Sequence, residues 1–125
     1  RHAGELLPIR TVAFFCVAMP RSTYAAVGPL DPAFGVGFFE DDDYCRRVEQ
    51  AGLGVACAED VFVHHQLSAS FDKLKAEARQ QLFLKNKAIY EAKWGEWIPH
   101  AYRQAAAEAV AATGGDKRDK DDSGA

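Results

Sequence analysis

The chain is poor in the features that would assign it quickly. It has three cysteines, Cys16, Cys45 and Cys57, an odd number and never in C-x-x-C spacing. That argues against a disulfide framework and against a structural zinc site. Each cysteine is read instead as a small buried hydrophobe in a reduced compartment. No apolar run approaches the roughly 20 residues a bilayer-spanning helix needs, so no transmembrane segment is expected. Positive charge is not in excess either: the formal net charge is −3 and the basic residues are scattered, which argues against a general nucleic-acid binder. Methionine occurs once, as Met19, so Arg1 is read as an internal residue and the chain as a piece of a longer protein. Nothing repeats, and the first ten residues read as a lead-in loop rather than a signal peptide.

What remains is an ordinary globular composition, 48% hydrophobic and 26% charged over 125 residues, enough for one domain with a modest core. Thr11 to Met19 is a near-continuous apolar run ended by Pro20; its β-branched and aromatic content predicts a strand buried on both faces. Ser22 can N-cap a short helix through Ala26, closed by Gly28 and Pro29. Gly35-Val36-Gly37 reads as a flexible approach to an acidic run. Val55 to Ala58 and Val61 to His65 read as short strands, with Val61, Val63 and His65 on one face. Ser70 is a plausible N-cap for a long helix to about Lys93, carrying Leu74, Ala78, Leu82, Lys85 and Ile89 as its stripe, with Phe83 and Tyr90 widening it and the lysines in solvent. Residues 101–112 are alanine-rich and suit a helical extension. Residues 113–125 have nothing to bury and are expected to be disordered.

The densest stretch is Phe38-Phe39-Glu40-Asp41-Asp42-Asp43-Tyr44-Cys45-Arg46-Arg47. It reads as a helix start: Tyr44, Val48 and Ala51 form one stripe, and Gly52 stops the helix. Acids in a first turn suit the helix dipole, and Asp42 and Asp43 stand four residues ahead of Arg46 and Arg47. A self-neutralised helix start is one explanation. The other is that like charges at this density raise a carboxylate's pKa and make it a base. The second chemistry-bearing feature is His64-His65. Such a histidine is either a hydrogen-bonded edge residue or, with oxygen ligands beside it, a ligand to a divalent ion. In an α/β sheet, strand ends and helix starts share one edge where ligands bind, which would bring His64 to the same crevice as Asp41. Trp94 and Trp97, around Gly95 and before Pro99-His100, are either a packed exit turn or a docking surface for a partner or acceptor.

Several of these pieces, in this order, resemble one family. Ala18-Met19-Pro20-Arg21, then Val27 to Phe34, then Glu40 to Arg47, then Ala51 to Val55, then Val61 to His65, and Lys93-Trp94-Gly95 with Trp97, Pro99 and His100 are similar to the C-terminal half of family 2, GT-A-fold nucleotide-sugar glycosyltransferases. The likeness is specifically to the bacterial branch of cell-surface polysaccharide synthesis, and it runs from Phe14 to about Arg103. The resemblance implies an α/β fold: a partial GT-A, Rossmann-like fold with a short mixed sheet packed by helices, the nucleotide-binding N-terminal half absent. Residues 1–100 would be its acceptor-side half. It also implies an inverting transfer of a sugar from a nucleotide-diphosphate sugar to an acceptor hydroxyl of a glycan or lipid-linked acceptor. Asp41 would be the base, with Glu40, Asp43, Asp31 and Gly37 supporting it or the acceptor. His64, or else His65, would help hold a divalent Mg or Mn ion, and Ser70 would lie on the diphosphate side. The family's Asp-x-Asp metal motif has no counterpart here, since Asp41-Asp42-Asp43 stands in the base's position, so the chain alone is expected to be inactive. Its implied location is cytoplasmic or peripheral at the inner face of the plasma membrane. Two other functions fit the same residues. One is a non-catalytic accessory module presenting Trp94 and Trp97; the other is a metal-dependent hydrolase using the acids with His64 and His65.

Overall fold

A computed structural model describes residues 3–66 and 75–100. In chain order the elements are strand β1 (Leu6–Ile9), helix α1 (Arg21–Val27), a 3₁₀ turn (Pro32–Phe34), helix α2 (Glu40–Gln50), strand β2 (Val55–Ala58) and helix α3 (Ala76–Trp94). The described chain is thus mixed α/β, with one two-stranded antiparallel sheet. The strands pair Leu6 with Ala58, Leu7 with Cys57, Pro8 with Ala56 and Ile9 with Val55. The lead-in residues therefore hold a strand where a loop is expected. Pro8 hides it in the sequence, yet each strand of a two-stranded sheet has a free edge that asks nothing of proline's missing N–H.

Two expected strands do not form. Thr11 to Met19 is irregular, turning tightly where the Phe15 N–H donates to Ala13 O at 2.9 Å. It leaves Phe15, Val17 and Met19 exposed. The reason is its neighbour: the segment lies along α2 rather than beside a strand. The Thr11 hydroxyl donates to Asp42 Oδ1 at 2.6 Å, the Phe14 ring meets Tyr44 edge-on at 5.3 Å, and the Tyr44 hydroxyl donates to Met19 Sδ at 3.5 Å. Val61 to His65 is also irregular and exposed, Phe62 to 90%. The chain leaves the sheet at Asp60, whose carboxylate accepts from the Gly4 N–H at 2.7 Å. Both runs carry β-prone residues, but propensity alone supplies no partner for their backbone groups.

The helices match the sequence pattern more closely. Helix α1 begins at Arg21 behind Pro20, one residue before the expected Ser22 cap, and ends at Gly28 with φ 87°. In α2 the stripe residues Tyr44 and Val48 are buried and Ala51 is exposed, with Gly52 (φ 76°) turning the chain. Of the cysteines, Cys45 is buried as expected; Cys16 and Cys57 are exposed, because the strands meant to bury them are absent or uncovered. In α3 the buried line runs through Asn86 and Tyr90, with Phe83, Ile89 and Trp94 partly covered, while Ala78 and Lys85 face solvent. The core is aromatic. Phe34, Phe39 and Tyr90 form its centre and Phe38, Phe83, Ile89, Trp94 and Trp97 close around it. Trp94 and Trp97 are therefore a packed exit turn. No described helix is long and apolar enough to cross a membrane. Ser70, Leu74, the extension at 101–112 and the tail at 113–125 lie outside the described residues.

Candidate functional site

The acid cluster stands on a strained support. Phe38 and Phe39 both have positive φ, 68° and 70°, and they are the only non-glycine residues among those described to do so. A bulky side chain in that region costs on the order of 1–3 kcal/mol, so two in succession need outside restraint. The restraint comes from α3. The Asn86 side-chain amide is fully buried and donates to Phe34 O at 2.7 Å, Gly37 O at 2.6 Å and Phe38 O at 3.1 Å. The ring of Phe39 is boxed by Phe83 at 5.1 Å, Tyr90 at 5.8 Å and Trp97 at 5.1 Å, and Phe38 meets Phe83 edge-on at 5.5 Å. The Phe39 carbonyl then accepts the Asp43 N–H at 2.9 Å and opens α2.

From this start the four acids diverge. Asp43 is wholly buried and serves the fold. Its Oδ2 accepts from Arg47 Nε at 3.1 Å, and its Oδ1 accepts from Trp94 Nε1 at 2.9 Å and from the Lys93 ammonium. Lys93 reaches Asp31 Oδ2 as well, at 3.1 Å, so one cation ties the 3₁₀ turn to α2. Burial alone would lower the Lys93 pKa; the hydrogen bonds to Asp43 and Asp31 outweigh it and raise it. Asp31 also caps the 3₁₀ turn through the Ala33 N–H at 2.9 Å, and that bond with Lys93 lowers its pKa. Arg47 completes the cluster by donating to Val27 O at 3.1 Å, docking the end of α1. Arg46, expected to pair with Asp42, pairs with Glu49 instead at 3.1 Å. Asp42 is buried and held by Thr11 and by His100 Nε2, 2.9 Å from its Oδ1.

Asp41 and Glu40 differ. Neither meets a lysine or arginine among the described residues. Asp41 is half-buried, and its Oδ1 accepts from the Asp42 N–H at 2.8 Å. Burial, then the neighbouring Asp42 carboxylate, raises its pKa; the backbone amides of Asp42, Asp41 and Phe14 offset this only in part. Glu40 is raised too, chiefly by burial, and its Oε2 is buried with no hydrogen-bond partner among the described residues. A carboxylate that binds its proton more tightly than usual is the stronger base, and Asp41 is such a group at a helix start.

The remaining predicted residues distribute unevenly. Gly37 is buried, φ 145°, and its carbonyl is one of the three that Asn86 holds. His65 is exposed and stacks on Phe15, centroids 4.2 Å apart and planes 3° from parallel. Phe15 adjoins Phe14, whose amide faces Asp41, so this segment lies between the acid and the second histidine. His64 is exposed and contacts no other described residue through a hydrogen bond, ion pair or ring. Ser70 lies outside the described residues. Among those described, no three His, Cys, Asp or Glu side chains group as a metal site, and the chemistry is derived from the carboxylates.

Sequence reasoning missed Asn86, Lys93, Thr11 and His100. For Asn86 a signal exists: it sits four residues from both Leu82 and Tyr90, a polar residue in an apolar line. Comparison of the chain with protein-family models, with curated proteins and with solved structures returned no match.

Proposed function

We propose that this chain is the acceptor-side half of an inverting nucleotide-sugar glycosyltransferase, of the family 2 GT-A type, acting in cell-surface polysaccharide synthesis. The observation that carries the reading is the division within the acid run: Asp42 and Asp43 are occupied by the fold, whereas Asp41 is half-buried without a cation and binds its proton more tightly than an ordinary aspartate. An acceptor hydroxyl beside Asp41 gives up its proton to the carboxylate as its oxygen attacks the anomeric carbon of the donor sugar. The bond from that carbon to the diphosphate oxygen breaks on the opposite face, so configuration inverts and the nucleoside diphosphate leaves with the bonding pair. Glu40, next in line and half-buried, is suited to support the acceptor or to tune Asp41, whose charge it feels. The nucleotide belongs to a donor-binding half joined to this one. The burial of Trp94 and Trp97 against the aromatic core supports this reading over an accessory module that uses them for docking.

The test is Asp41→Asn in the protein that carries both halves. Turnover is expected to fall by about 10²- to 10⁴-fold, the usual worth of a general base, while donor binding persists. Turnover near the parental level refutes the assignment.

A further inference from the structure

We propose that Asn86 is a positioning residue: its side-chain amide sets the turn at Phe38 and Phe39 and thereby the direction in which the first turn of α2 presents Asp41. The functional meaning rests on the reading of Asp41 as the base; the geometry stands without it. One NH₂ group meets three carbonyl oxygens, those of Phe34, Gly37 and Phe38, with only two hydrogens to offer, so one hydrogen is shared. Its own Oδ1 is buried and has no partner among the described residues. Leaving an acceptor unmet is costly, and position 86 tolerates it to aim donors at the turn. The reverse orientation would point Oδ1 at three oxygens, so the amide has one allowed sense.

The consequence runs through the backbone. Phe39 supplies the first carbonyl of α2, to the Asp43 N–H, from a left-handed conformation that an aromatic residue does not hold unaided. Relaxing either positive φ swings the helix start, and Asp41 with it. Asn86 has a short side chain on a 19-residue helix, a rigid anchor for such a clamp. The carboxylate's hydrogen bonds come from backbone amides, and the titratable side chains that face it, Asp42, Glu40 and the Cys45 thiol, all lie on α2 itself. No side-chain donor from another element would therefore keep its setting.

Asn86→Leu tests this, since leucine is of similar size, lacks donors and also removes the unmet acceptor. Folding is monitored by circular dichroism and by the combined fluorescence of Trp94 and Trp97, and the Asp41 carboxyl is titrated by carbon NMR. The expected result is a folded protein whose Asp41 midpoint moves back toward that of an ordinary aspartate. In the protein carrying both halves, kcat then falls by about 10- to 100-fold with donor KM unchanged, as for a misplaced catalytic group. A folded variant with the parental Asp41 midpoint overturns the proposal. If Asn86→Leu does not fold, Phe38→Gly is added, because glycine holds a positive φ without a clamp; recovery of folding supports the proposal and continued failure overturns it. A shifted midpoint alongside a silent Asp41→Asn would instead retire the sugar-transfer reading and leave the positioning role intact.

Discussion

Asp41 and Asp43 stand two residues apart on one helical turn and meet opposite surroundings. Asp43 has no exposure and three side-chain donors, from Arg47, Lys93 and Trp94. Asp41 is half-buried and draws only on backbone amides, with a second carboxylate beside it. The difference teaches that a run of identical charges is divided by what faces it from elsewhere in the chain. The helix dipole favours both ions about equally, so it cannot separate them. The separation comes from what faces each acid: Lys93 and Trp94 of α3, with Arg47 of α2 itself, meet Asp43, whereas Asp41 has only backbone amides, burial and the Asp42 carboxylate.

The comparison breaks most visibly at Asp43. Asp43→Ala leaves Lys93 and Arg47 without their shared anion and is expected to cost about 3 kcal/mol in urea unfolding, the lower end for a broken buried pair because both cations keep some solvent. A loss within experimental error would deny Asp43 its role in the fold. Lys93→Met removes one of three donors, the tie to Asp31 and the ammonium over the Phe34 and Trp94 rings, but leaves Asp43 its bonds from Arg47 and Trp94, so a smaller loss, about 1–2 kcal/mol, is expected by the same measurement. The smallest effect is one of sign. Because folding raises the Asp41 pKa, the folded state binds that proton more tightly, and stability falls as pH rises from the ordinary aspartate value through the raised one. Asp41→Asn is therefore expected to be more stable than the parent at neutral pH, the gap closing once pH drops below the ordinary aspartate value. Asp31 runs the other way: its lowered pKa contributes stability above the ordinary value that is lost as pH falls through the lowered one. Thermal unfolding across that range reads both; a neutral-pH loss in Asp41→Asn would put the two aspartates in the same class.

How much of this is legible from sequence depends on the same division between local and distant causes. Helix α2, its acidic first turn and its glycine stop are written in residues close to one another, and so is the body of α3 up to Trp94. Strand β2 is marked by the Gly52-Leu53-Gly54 turn that precedes it. The run from Thr11 to Met19 looks like a buried strand because its hydrophobicity is continuous, yet whether a neighbouring strand exists is not a property of the run. The strand at Leu6–Ile9 is hidden by its proline. At the site, the acid cluster announces itself, but which acid is left without a side-chain donor depends on partners 50 and 51 residues away for Asp43 and 31 for Asp42. The strained pair Phe38 and Phe39 carries no turn residue to betray it, since Asn86, 48 residues on from Phe38, supplies what a glycine would otherwise provide.

The central claim is that the fold leaves one carboxylate of the run with an unusual hold on its proton. The direct measurement is a carbon NMR titration of the Asp41 and Asp31 carboxyls in the same sample. A midpoint for Asp41 above the ordinary aspartate value, with Asp31 below it, is the predicted result; an Asp41 midpoint at or below the ordinary value contradicts it.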